Sequence, residues 1–191
     1  MRLAAIILGA FLGVGLGIYS AYLTLRDLAP VDTIESGSWR GWPRAGTDEE
    51  DPYSRARLAR TGELALGSSE GLKLLARTDD AGRDLSGACR YEVTGQLPAA
   101  RLWTLAVEGE SGAGLPAPKR GVRAIGSDQI VRNADGSFTV TLAPTPQPGN
   151  WLSTEGGRQI RLAARLYDTT ARTVTALTDF SVPSIVEENC P

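Results

Sequence analysis

The chain has 191 residues, with 20 Lys and Arg against 22 Asp and Glu, and no histidine. That slightly acidic balance lacks the basic footprint of nucleic-acid binding. Without imidazole there is no Ser-His-Asp triad, no Cys-His pair and no histidine-bound metal. Any catalysis would fall to carboxylates, Tyr, Lys or a carboxylate-held metal.

The first element is an uncharged run from Leu3 to Leu25, bracketed by Arg2 and Arg26. As a helix it rises about 34 Å, enough to cross a hydrocarbon core of about 30 Å. Residues 1–27 therefore read as a transmembrane signal anchor, with the lipid bilayer contacting residues 3–25. The rival reading is a cleaved signal peptide; cleavage after Ala21 would place the bulky Tyr19 in the outer recognition position. Arg2 and the terminal amine put the amino terminus in the cytoplasm and the rest outside, which implies a bacterial inner-membrane protein with a periplasmic domain. Gly9, Gly13 and Gly17 recur every four residues and could form a helix-dimer face, although glycine is common in such helices anyway.

Residues 28–52 read as a linker and irregular entry segment, rich in Pro and Gly and ending in the acidic run Asp48 to Asp51. Trp39 and Trp42 are unusual there and could pack back onto the domain that follows at 53–191. Asp51-Pro52 can begin a short helix from Tyr53 to about Leu66. Beyond it the signals are β. Cys89, Tyr91 and Val93 alternate with polar residues, as do Trp103, Leu105 and Val107, then Phe138, Val140 and Leu142. Asn133-Ala134-Asp135-Gly136 reads as a hairpin turn before Ser137 to Ala143. Arg158 to Asp168 points Ile160, Leu162, Ala164 and Leu166 inward, with Arg161, Ala163, Arg165 and Tyr167 outward. Val122 to Val131 is a weaker extended candidate, and a short strand is expected near Thr173 to Leu177. Short strands separated by turns, with little helix, make an antiparallel sandwich or barrel.

Cys89 and Cys190 are the only cysteines, and in an oxidising compartment an even count favours a disulfide. Asp79, Asp80 and Asp84 around Gly82 could hold calcium, but a turn explains them without a metal, and no metal or cofactor is expected. Trp151, following Gly149-Asn150, is the best candidate for an exposed stacking surface, with Asn150 either beside a ligand or orienting the strand. Trp103 reads as core. Tyr91 with Arg90, Arg161, Arg165 and Tyr167 would form an anion-binding surface if their strands were neighbours; the plainer reading is arginine on a solvent face.

Several short motifs occur in a shared order. They are Gly41-Trp42, Asp51-Pro52-Tyr53 with Ala56 and Ala59, and Thr61-Gly62-Glu63-Leu64. Next come Asp80-x-Gly82, Leu85-Ser86-Gly87-x-Cys89-x-Tyr91 and Asp135-Gly136-Ser137. Gly149-Asn150-Trp151-Leu152 and Arg165-Leu166-Tyr167 complete the set. From Trp39 onward the sequence resembles the bacterial domain of unknown function 1214 family. The resemblance implies a jelly-roll-like β-sandwich, found either in short exported proteins or as the second half of two-domain chains. It brings no reaction and no catalytic residues.

The function expected is a membrane-anchored, non-enzymatic envelope domain that binds a protein or cell-wall partner, with a possible homodimer through the helix. The alternatives are a carbohydrate or small-ligand module built on Trp151, or a glycan hydrolase using two carboxylates.

Overall fold

In the computed structural model, residues 2–27, 33–62, 65–67, 70–112, 114–169 and 181–191 are described. The expected strand near Thr173 to Leu177 lies outside them. Helix α1 (Arg2–Asp27) has mean hydropathy 2.1 over Arg2–Leu23, and its apolar side chains face outward rather than into a core. It is long and apolar enough to cross a bilayer.

The segment read as an irregular entry contributes structure. β1 (Ile34–Ser36) and β2 (Trp39–Gly41) form a hairpin, and β2 pairs with β3 (Gly71–Ala76), so the sheet begins well before residue 53. Trp39 explains why: its ring is buried and its Nε1 donates to the Pro183 carbonyl at 2.7 Å. Full burial of a large apolar side chain stabilises by about 1.5–3 kcal/mol, enough to hold three-residue strands that propensity alone would not. Helix α2 (Pro52–Thr61) starts as expected, with the Asp51 carboxylate accepting from the backbone N–H of Tyr53 and Ser54 and Pro52 in its first turn. It stops earlier than the reading to Leu66. Gly62 adopts φ 65° and its N–H closes on the Leu58 carbonyl at 2.9 Å, a left-handed cap that a glycine accepts at no steric cost.

The remaining strands are β4 (Arg90–Gly95), β5 (Ala100–Gly109), β6 (Ala124–Gly126), β7 (Phe138–Ala143), β8 (Asn150–Ser153), β9 (Ile160–Thr169) and β10 (Ser184–Asn189). Among the described residues they make a six-stranded sheet, β1-β2-β3-β9-β5-β6, and a four-stranded sheet, β10-β4-β7-β8. Neighbours run antiparallel except β7 and β8. The result is mainly β and sandwich-like. The inward faces are those the alternation marks: Leu162, Ala164 and Leu166 of β9 meet Tyr91 and Val93 of β4 and Phe138, Val140 and Leu142 of β7 in one core. The Asn133–Gly136 turn forms, but only Arg132 bridges to Phe138 behind it, so the ladder there is one pair long.

Both long edges are tied. At one, Asp80 receives the Ser38 hydroxyl at 2.7 Å and the Ile185 N–H at 3.0 Å, joining the β1–β2 hairpin to β10. At the other, the Ser153 N–H donates to the Val122 carbonyl, and Arg123 donates to the carbonyls of Pro116, Ser153 and Glu155. Burial moves the Arg123 pKa down from its ordinary value. Cys89 and Cys190 form a disulfide across a separation of 101 residues, just beyond a register shift in the β10–β4 ladder between Glu187 and Asn189.

Candidate functional site

The side chains singled out in the sequence fall in three places. Tyr91 is on β4 with its ring in the core, and its hydroxyl accepts the Ser86 N–H at 2.9 Å. Burial moves its pKa up, against the smaller effect of that hydrogen bond. Tyr91 and Arg90 therefore belong to the four-stranded sheet, whereas Arg161, Arg165 and Tyr167 share the outer face of the six-stranded one. The five do not form one surface.

Trp151 and Asn150 open β8. Asn150 is spent on structure: its Oδ1 accepts the Val131 N–H at 2.8 Å, and its Nδ2 donates to the carbonyls of Val131 and Thr139 at 2.8 and 2.9 Å. Trp151 is half-buried, its Nε1 donates to the Ala143 carbonyl at 3.1 Å, and a Cβ on Gly121 would lie 2.4 Å from its ring. The three tryptophans of interest do not converge. Trp39 is covered at the β2 edge, Trp42 is half-buried with its Nε1 donating to the Thr33 hydroxyl, and Trp151 lies at the opposite edge.

The turn aspartates are likewise committed. Asp79 accepts the N–H groups of Ala81 and Arg83 and the Arg83 guanidinium. Burial raises its pKa, but these bonds outweigh it and hold the carboxyl below its ordinary value. Cys89, Cys190 and Glu187 lie close enough to share a metal, yet the sulfurs are joined to each other and leave only one carboxylate. Gly9, Gly13 and Gly17 lie on exposed helix, and an added Cβ at each meets nothing within 4 Å.

The densest charge chemistry lies on the outer face of the six-stranded sheet. Cross-strand register places Lys73 of β3, Arg165 of β9 and Thr104 of β5 in one row, with Arg161 opposite Glu108 four residues away along β9. Glu108 Oε2 accepts Arg161 Nε at 3.0 Å and Nη2 at 2.8 Å, and Oε1 accepts Arg165 Nη2 at 2.5 Å. Lys73 Nζ stands 3.7 Å from the same carboxylate. Burial raises the Glu108 pKa, but Arg165, Lys73 and Arg161 together outweigh it and the carboxyl stays ionised below the usual glutamate range. The plainer reading of Arg161 as a solvent-face residue does not hold. It is 2% exposed, and a Cβ on Gly112 would meet its guanidinium at 2.0 Å, so the loop after β5 covers it.

A two-sheet β-sandwich carrying a four-residue charge cluster around the buried Glu108–Arg161 pair and an apolar helix of bilayer-crossing length is the class the fold defines. The family described as a protein of unknown function, DUF1214, matches residues 70–171, and the chain belongs to it. The VPA0106 protein from Vibrio parahaemolyticus superposes with a TM-score of 0.62 at 15% identity, covering 93% of this chain and 44% of its own. An uncharacterized protein from Burkholderia cenocepacia superposes with a TM-score of 0.47 at 17% identity, covering 92% of this chain and 42% of its own. The chain thus spans less than half the length of these two proteins. No curated protein matches it.

Proposed function

We propose that the protein is a single-pass, exported protein of the bacterial inner membrane whose periplasmic sandwich binds a protein or cell-wall partner without catalysing a reaction. The observation that carries this reading is the joining of two features in one chain. An outward-facing apolar helix of bilayer-crossing length precedes a domain closed by a disulfide. Disulfides persist outside the cytoplasm, and the helix keeps the domain beside the membrane once it is there.

The carboxylates favour binding over glycan hydrolysis. A glycosidase needs a pair of carboxyl groups free to face substrate, whereas Asp51 caps α2, Asp79 and Asp135 hold turns, and Glu108 is engaged by Arg161 and Arg165. The half-exposed ring of Trp151, near the exposed Val122, supports a second, carbohydrate-binding reading, now without help from Asn150.

The test is fractionation of cells expressing the full chain, followed by crosslinking and affinity recovery from envelope extract. Expected are a carbonate-resistant membrane protein, digestible by protease in spheroplasts but not in intact cells, and a specific crosslinked partner. A soluble, shortened product would show a cleaved leader and end the anchor; an anchored protein with no specific partner would end the binding reading.

A further inference from the structure

We infer that the outer face of the six-stranded sheet is an oxyanion-binding site, with Arg165 as its principal donor and Thr104 and Tyr167 beside it. The inference deepens the partner-binding reading and rests on it, by naming the chemistry the partner presents: a carboxylate or phosphate oxygen.

Register sets the geometry. Lys73, Arg165 and Thr104 are directly paired across three adjacent strands, so neighbouring side chains stand about 5 Å apart, and Tyr167 follows two residues on from Arg165 on the same face. All four are half-buried, neither free to sweep solvent nor closed to a ligand. Arg165 gives one N–H, from Nη2, to Glu108. Among the described residues its Nε and Nη1 donors, and the hydroxyls of Thr104 and Tyr167, meet no acceptor. A guanidinium carries five N–H donors in a rigid fork, so fixing one at Glu108 aims the remainder.

Glu108 and Arg161 thus act as positioning residues. The Arg161 pair anchors the carboxylate beneath the loop after β5, and the carboxylate in turn restricts Arg165. The cost of ordering the guanidinium is met in the folded protein rather than on binding, the general route by which preorganisation raises affinity. The face is bounded on both sides. Leu102, paired with Tyr167, is 41% exposed and forms an apolar margin. Beyond Thr104 lies Gly126, where an added Cβ would meet Asp128 Oδ1 at 2.4 Å, so a carboxylate closes that end to anions. A ligand is therefore expected over Arg165 and Tyr167.

The experiment is titration of the full chain, held in detergent micelles, with inorganic phosphate in one arm and acetate in the other, at constant ionic strength set with chloride. Binding is read by calorimetry and by chemical shifts of Arg165 and Tyr167. Expected is saturable binding in at least one arm; the arm that binds more tightly identifies phosphate or carboxylate as the group presented. Arg165→Gln weakens it by roughly tenfold or more, the equivalent of one charge-assisted hydrogen bond. Tyr167→Phe and Thr104→Val weaken it less, while Arg101→Gln, at an exposed pair with Asp168, leaves it unchanged. Circular dichroism confirms that each variant is folded. Absence of saturation in both arms, or equal affinity in folded Arg165→Gln, overturns the inference while leaving the membrane tether and partner recovery to stand or fall on their own assays.

Discussion

Replacing Glu108 with Gln tests the buried charge cluster most directly. The carboxylate receives two N–H groups from Arg161 and one from Arg165, with Lys73 close by. A glutamine keeps the shape, loses the charge, and turns an N–H donor toward guanidiniums that are donors themselves. Arg161 cannot relax into water because the loop at Gly112 lies over it. Removing one partner of a buried ion pair costs about 3–5 kcal/mol, since the other charge stays buried. Arg165→Gln removes a partly exposed partner, and about 1 kcal/mol is expected after allowing for solvent screening. Joint replacement of Glu108 and Arg161 by Leu and Met removes both charges and should recover most of the loss. The assay is urea unfolding of the full chain in micelles, followed by near-ultraviolet circular dichroism. A Glu108→Gln loss below about 1 kcal/mol would refute the claim that Arg161 depends on this carboxylate.

Acid should act through the same residue. The folded pKa of Glu108 is depressed, so its stabilisation is fully present above the unfolded value of about 4.3 and is lost as pH falls through the folded value. Unfolding midpoints measured between neutral pH and about pH 3 should fall for the wild type and lack this component in Glu108→Gln. Asn150→Ala severs three bonds to the backbone of residues 131 and 139, and a loss of about 1–3 kcal/mol in the same urea assay is expected. Gly87→Ala would set a methyl 2.0 Å from the Gly157 carbonyl oxygen, and a comparable loss of about 1–3 kcal/mol should appear as a lowered unfolding midpoint. In the membrane, Gly13→Leu should abolish crosslinked homodimers if the glycine face of α1 pairs; unchanged crosslinking would end that proposal.

The strands were legible where one face meets a continuous core. Trp103, Leu105 and Val107, or Ile160 through Leu166, alternate because each second residue enters the same apolar interior. The β1–β2 hairpin was hidden because three-residue strands carry almost no periodic signal; burial of Trp39 against Pro183, distant in sequence, supplies what propensity does not. β10 was hidden for a related reason, since along Ser184–Asn189 only Ile185 is fully buried. Alternation gives the direction of a side chain and not what lies above it. Arg161 points outward as read and is nevertheless covered. Glu108 went unnoticed as a site residue because its partner on β9 is 53 residues away, and one acid at the end of an apolar strand looks like an ordinary strand terminus. The turn before β8 marks Asn150 as a residue that can orient the strand, but two of its three bonds depend on where Val131 comes to lie, which local sequence does not carry.

The Cys89–Cys190 bond has a consequence for assembly. Within the described residues β10 is the outermost strand of the smaller sheet, laddered with β4 and tied at Ile185 to Asp80. Such a strand is what a neighbouring copy can displace, because an identical segment offers identical pairing. Here exchange would require a covalent bond to break as well as a ladder to open. Oxidised protein is therefore confined to its own β10, and strand swapping becomes accessible only after reduction.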